Sequence, residues 1–300
     1  MLTAARVLLS SFGIVVVYAL LEDVFLVKKS EDMSICRDTL RQELLSDVWD
    51  RKSLEFKQLR KEIEYTLSAT NFSAIDEKNA FDLFEPEWHC EDERRFGGDL
   101  FSFGDGPKFV CGRKVLQKSD DCVVYSIGSY YDFQFEYAVN HLAPHCEIHT
   151  FDGTMDITST PLPEGLERKN IFFHNWNLGP ECGKSEGTPQ TKCFEEILTL
   201  LGHRGKTISW LKIDCEGCEF DVLPNILQSQ VKLDQLLIEV HGTDADMIAK
   251  LFRTFTDAGL MIFHKERNHW GCLGYLCVEY SLLSSEYAKQ VLDSFLIPGV

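Results

Sequence analysis

Positive charge is what this 300-residue chain has least of. Thirty Lys and Arg stand against 47 Asp and Glu, leaving a net charge of −17 at neutral pH. Such a surface repels phosphate backbones unless a local basic patch intervenes. The sequence has no such patch and no interleaving of aromatic with basic residues, so nucleic acid is excluded as a partner. Proline is scarce, at nine residues, and low-complexity tracts and internal repeats are absent, which argues against extensive disorder. Also missing are the second and third glycines of a dinucleotide fingerprint: the stretch "GSYYDF" from Gly128 supplies only the first. That absence argues against NAD or FAD, whose pyrophosphate needs close backbone approach.

What is present begins with an apolar N-terminus. Val7 to Leu21 carries no charge, lies between Arg6 and Glu22, and is extended by Val24 to Val27. Residues 7–27 are therefore expected to enter a membrane. One reading is a signal anchor with a lumenal domain; the other is a signal peptide cleaved after the small-residue site of Val17 and Ala19, releasing a secreted protein. Leu20 and Leu21 continue the apolar run past that site and favour the anchor, while Lys28 and Lys29 run against the positive-inside rule. Asn71-Phe72-Ser73 is an N-glycosylation acceptor, and eleven cysteines suit a disulfide-permissive compartment, in the Golgi or endoplasmic reticulum. Eleven is odd, and Cys36 is the natural candidate for a bridge between chains in a homodimer.

Three segments follow: residues 1–29 as anchor or signal peptide, 30–79 as helical stem and linker, and 80–300 as the main domain. Asp32 to Ser68 reads as one helix without Pro or Gly, with Leu45, Trp49, Phe56, Leu59 and Ile63 in an imperfect heptad. It is either a coiled-coil stalk or a helix packed on the domain. Beyond it, strands at Cys122–Gly128, Cys146–Asp152, Asn170–His174, Ile208–Asp214 and Gln235–His241 alternate with helical stretches, and "LMIFHKE" and "GYLCVEY" follow. This is the pattern of an α/β fold, a mostly parallel sheet with helices on both faces. Ligands of such sheets bind beyond the carboxyl ends of the strands. Gly128, Asp152, His174, Asp214 and His241 each close a predicted strand, so they share one rim.

The stretch "WLKIDCEGCEF" places Cys215 and Cys218 among Asp214, Glu216 and Glu219. The flanking acids disfavour a thiolate, and a zinc site would need a second pair, for which only Cys272 and Cys277 offer themselves. The cysteines are therefore read as structural, with Cys90–Cys111 as the local pairing expected. An Asp-x-Asp at Asp244 and Asp246 formally allows a glycosyltransferase, but it opens a predicted helix, where capping explains it.

The segments "ERRFGG", "GPKFVCG", "CVVYSIGSYYDFQFE", "EIHTFDGT", "WLKIDCEGCEFDVL" and "LLIEVHG", in that order over Trp88 to Tyr280, resemble the lumenal methyltransferase-like family, distantly related to FkbM-type sugar O-methyltransferases. The resemblance implies a Rossmann-like seven-stranded sheet with its last strand antiparallel, and S-adenosylmethionine as cofactor. By this likeness Gly128 and Ser129 line the methionine end, Asp152 and Gly153 hold the ribose, Asn175 lies in an adenine-side loop, and Asp214 closes the cofactor-binding set. A hydroxyl acceptor, with a glycan first in line, needs a base: Asp214 or His241, with Glu239 on the same strand face as His241. No metal is expected; if one were used, Asp214, Glu239 and His241 would hold it. His269 and Trp270 would form an aromatic wall for a sugar. Ser129, Tyr130 and Tyr131 stand where the family carries small residues, which leaves a non-catalytic scaffold of the same fold as the alternative.

Overall fold

The first described element is a helix, α1 (Glu31–Ala69), in a computed structural model that describes residues 31–98, 106–183, 189–229 and 231–295. From Trp49 onward this helix is packed on the domain. Trp49 and Phe56 meet Trp88 at ring-centroid distances of 5.7 and 6.3 Å. Arg60 pairs with Glu87 and donates to the Leu260 carbonyl at 2.8 Å. Of the expected heptad, Leu59 stays exposed. The segment expected to enter a membrane and the side chain of Cys36 lie outside the described residues. Among those described, no helix is long and apolar enough to cross a membrane. Asn71 is exposed, at the start of a short 3-10 turn.

A small antiparallel hairpin, β1 (Arg94–Phe96) and β2 (Lys108–Val110), leads into α2 (Arg113–Lys118). The main sheet then starts with β3 (Val123–Ile127), whose five residues are all buried, as a parallel strand covered on both faces requires. It continues through α3 (Gln134–Leu142), β4 (Glu147–Phe151) and β5 (Ile171–His174). The pair β6 (Trp176–Leu178) and β7 (Gln190–Lys192) forms a separate ribbon before α4 (Phe194–Leu200). Next come β8 (Thr207–Ile213), α5 (Glu219–Gln228), β9 (Lys232–His241) and α6 (Ala245–Asp257). The chain closes with β10 (Leu260–Arg267), β11 (Cys277–Ser284) and α7 (Ser285–Phe295).

Seven strands make one sheet in the order β10-β11-β9-β8-β3-β4-β5. Only β11 runs against its neighbours, so the last strand is antiparallel, as expected. The five strand-closing residues fall where the pattern puts them: Gly128 after β3, Asp152 after β4, His174 at the end of β5, Asp214 after β8 and His241 at the end of β9. The last strand starts later than "GYLCVEY" suggests, because the Cys272–Cys277 bridge holds the residues before it in a turn. Asp244 caps α6, its carboxylate accepting from the amides of Asp246 and Met247 at 2.9 and 3.0 Å. That is the capping role, and it leaves the Asp-x-Asp reading without support.

Ten cysteines form five disulfides: Cys90–Cys111, Cys122–Cys146, Cys182–Cys193, Cys215–Cys218 and Cys272–Cys277. None of these ten thiols is left for a zinc site. Cys122 and Cys146 precede β3 and β4 and tie the starts of two neighbouring central strands across a separation of 24 residues. Chain-entropy reasoning assigns such a loop about 3 kcal/mol. The double variant Cys122→Ser/Cys146→Ser is expected to lose stability of that order, read as a lower urea midpoint with an equal or steeper slope as the unfolded chain expands.

Candidate functional site

The strand order reverses between β3 and β8: from β3 the chain moves outward through β4 and β5, then returns to β8 and moves outward the other way. Such a switch point opens a crevice at the carboxyl ends of the strands. Here it is a cleft of about 670 Å³, lined by Gly128, Asp152, Trp176, Lys212, Asp214 and Glu239 among others. Gly128 has φ +79°, and a Cβ there would lie 1.7 Å from the Asp214 carbonyl oxygen. No other residue fits, because β3 and β8 pass each other at that point. The Asp214 amide donates to Ile127 (3.0 Å), the Gly128 amide to Phe151 (2.9 Å), and the Lys212 ammonium to the Gly128 carbonyl. Three strand ends are thereby fixed to one another.

Asp152 is buried and organises the loop opposite. One carboxylate oxygen accepts from the amides of Ser129 (3.0 Å) and Tyr130 (2.8 Å); the other accepts from the Thr154 amide (2.8 Å) and hydroxyl (2.6 Å). These bonds fix the loop at Ser129 and Tyr130; Tyr130 and Tyr131 have φ +41° and +69°, left-handed conformations that residues other than glycine adopt at a cost. The large side chains that depart from the family's small residues are thus accommodated by backbone geometry. All four lone-pair directions of Asp152 are engaged, so a ribose diol would take over two of these bonds. Gly153 also lines the cleft, and a Cβ there would meet the Asn177 amide oxygen at 2.4 Å. Asn175 does not line it. Its side chain turns to the Met155 carbonyl at 3.5 Å, and Trp176, Asn177 and Leu178 take the place expected for it.

On the other side of the cleft lies a charge cluster that the strand pattern did not disclose. Glu239 of β9 sits directly across from Glu279 of β11, which sits across from Glu266 of β10. Like charges in register destabilise a sheet. The hairpin answers them: the fully buried Lys108 donates to Glu279 and, at 3.0 Å, to Asp214, while Arg95 pairs with Glu266 at 3.4 Å. Burial alone would lower the Lys108 ammonium, but Glu279 and Asp214 outweigh it and hold its pKa above the usual range. Burial would raise Asp214, yet Lys108 and Lys212 keep it well below the carboxylate range. Glu239 and Glu279 are raised mainly by burial, to about 7 and about 8. The buried Asn268 donates to Glu239 at 2.8 Å and orients it.

His241 stands apart from the cleft lining. Its Nδ1 lies 2.6 Å from the buried Glu219, and its Nε2 is 3.5 Å from Glu216 and 3.8 Å from Glu239. Burial opposes its charge, but the bond to Glu219 and the surrounding carboxylates win and raise it to about 9. A cation at neutral pH accepts no proton, which argues against His241 as a base. Of the metal set considered, Asp214 is already paired with the Lys108 ammonium at 3.0 Å. Cys215 and Cys218 line the cleft as a disulfide, closing a turn in which Glu216 has φ +56° and Gly217 φ +108°. Trp270 is exposed on the loop between β10 and β11, anchored by Asn268, whose Oδ1 accepts from the Trp270 amide at 2.9 Å. His269 packs against Gly274 in the same loop.

Residues 41–284 match the family described as "Methyltransferase domain". None of the curated protein sequences matches the chain. Among solved structures, it is similar to a fibrillarin pre-rRNA processing protein of Methanococcus jannaschii, at 11% identity and a TM-score of 0.38, over 65% of this chain and 84% of that one. An Aeropyrum pernix fibrillarin with natively bound S-adenosyl-L-methionine gives 13% and 0.37, over 69% and 87%. The 1,6-didemethyltoxoflavin-N1-methyltransferase of Burkholderia thailandensis gives 12% and 0.33, over 58% and 76%. Likenesses this distant say nothing of substrate or chemistry.

Proposed function

We propose, from the premise that this chain belongs to the methyltransferase-domain family, that its cleft binds S-adenosylmethionine and that the protein methylates a hydroxyl acceptor, in first place a glycan, within the secretory pathway. The observation that carries the reading is the cleft itself. It opens at the topological switch point between β3 and β8, is narrowed to bare backbone at Gly128, and has Glu239 on its opposite wall. Gly128 and Ser129 would hold the methionine end, Asp152 and Gly153 the ribose, and Trp176 and Asn177 the base. Asp214, kept ionised by Lys108 and Lys212, favours positive charge beside it. The cofactor supplies a methyl group activated as a sulfonium.

Glu239 is the base in this reading. A carboxyl raised to about 7 is half ionised near neutral pH, where it can both accept a proton and hold it. Asn268 fixes its orientation, and the exposed Trp270 on the same loop offers a face on which a sugar ring can stack. The secretory assignment is supported by five disulfides and by the exposed acceptor Asn71.

Calorimetric titration of the full chain with S-adenosylmethionine and S-adenosylhomocysteine tests the cofactor. Saturable binding is expected, weakened about tenfold or more in Asp152→Ala, since each hydrogen bond to a carboxylate contributes roughly 1.5–3 kcal/mol. A folded chain that binds neither ligand at millimolar concentration would overturn the reading.

A further inference from the structure

A second constellation lies at the opposite end of β4 from Asp152. Glu147 and His149 are two residues apart on that strand and share a face, and His203 reaches them from the turn after α4. His149 Nε2 is 3.0 Å from one Glu147 oxygen, and His203 Nε2 is 3.5 Å from the other. Ligand atoms of all three residues lie within 4.8 Å of one another. Bonds of about 2.0 Å to a tetrahedral ion place ligand atoms about 3.3 Å apart, so the three groups need only small side-chain movements to close on one.

The far side of each imidazole is equally defined. His149 Nδ1 is 2.8 Å from His174 Nε2, and His203 Nδ1 is 2.7 Å from the hydroxyl of the fully buried Tyr125. With both Nδ1 positions bonded to these partners, both Nε2 positions turn toward Glu147. Such bonds to the outer nitrogen are what orient a metal-binding histidine and fix its tautomer. Both rings are buried, while Glu147 is 40% exposed and gives the site an entry path. The neighbouring Lys206 ammonium is paired with Asp121 at 3.3 Å, which tempers its repulsion of a cation.

We propose that Glu147, His149 and His203 form a zinc-type divalent metal site, with the fourth position open to water. Six residues of extended strand rise about 16 Å from Glu147 to Asp152, and none of the three residues lines the methyl-transfer cleft, although His149 reaches toward the rim through His174. Its role is to clamp the start of β4 to the turn between α4 and β8.

The test uses the full chain, stripped with a chelator and titrated with Co²⁺ for its ligand-field absorption and with Zn²⁺ by calorimetry. The expected result is one equivalent bound, with the intense visible bands of tetrahedral Co²⁺. Affinity should fall at least about a hundredfold in His203→Gln and about tenfold or more in Glu147→Gln, the latter a partly exposed position where misfolding does not confuse the result. His241→Gln should bind as the parent does. Absence of a Co²⁺ spectrum in the folded parent, or equal binding by Glu147→Gln, overturns the proposal in favour of a hydrogen-bonded His–Glu network. Loss of binding in His241→Gln alone moves the metal to the acids of the cleft and overturns it equally.

Discussion

Replacing Lys108 by methionine is expected to cost about 3–5 kcal/mol of stability, the usual result of stripping one partner from a buried ion network. The variant leaves Asp214, Glu239 and Glu279 facing one another without their common cation. The effect should depend on pH in a definite direction. Glu239 and Glu279 have folded pKa values of about 7 and about 8, above the ordinary value of 4.5. A carboxyl whose folded pKa is raised holds its proton better folded than unfolded, so its contribution is lost as pH rises from about 4.5 through 8. Without Lys108 both values move higher still. The deficit of Lys108→Met should therefore widen from pH 5 to pH 8 and shrink again on acidification. Urea denaturation at several pH values reads this directly; a deficit independent of pH would show that Lys108 acts through packing alone.

In Glu239→Gln, methyl transfer should fall by about 10²–10⁴ while cofactor affinity holds, because the amide keeps the shape and the bond to Asn268 but takes no proton. In the parent enzyme kcat/KM should rise with pH through about 7 as Glu239 ionises. The residual rate of the variant should be flat across that range. A variant with the parent's profile would assign the proton to another group. A variant that loses cofactor binding as well would make Glu239 part of the binding wall.

Much of this architecture was legible because its cues are local. β-branched runs ending in Gly or Asp gave the parallel strands and their order along the chain, and each closing residue fell on the rim as the periodicity required. Asp244 as a cap and Cys90–Cys111 as a bridge were equally readable. What escaped was non-local or contrary to a local rule. Pro224 stands sixth of the ten residues of α5, where its missing amide removes one helical hydrogen bond, so local propensity argued against that helix. Lys108 sits in a three-residue strand with nothing nearby to announce its partners, which come from β8 and β11, 106 and 171 residues away. The signal that could have found it was the row of Glu239, Glu266 and Glu279 on strands that must be neighbours, since buried acids in register call for a cation. The strand position of His241 was visible in the sequence; its bond to Glu219 was not. The cleft lining begins one residue past Asn175, at Trp176 in β6, a displacement the strand pattern did not disclose.

The disulfides join each cysteine from Cys90 onward to the next one along the chain, with separations between 3 and 24 residues and no nesting or crossing. A nascent polypeptide oxidised from its N-terminal side therefore reaches the native pairing by linking each newly emerged thiol to its immediate predecessor. Such vectorial oxidation needs no reshuffling by an isomerase, provided Cys36 abstains. Were Cys36 to capture Cys90, every later thiol would be offered the wrong neighbour, and the error would propagate to the C-terminus.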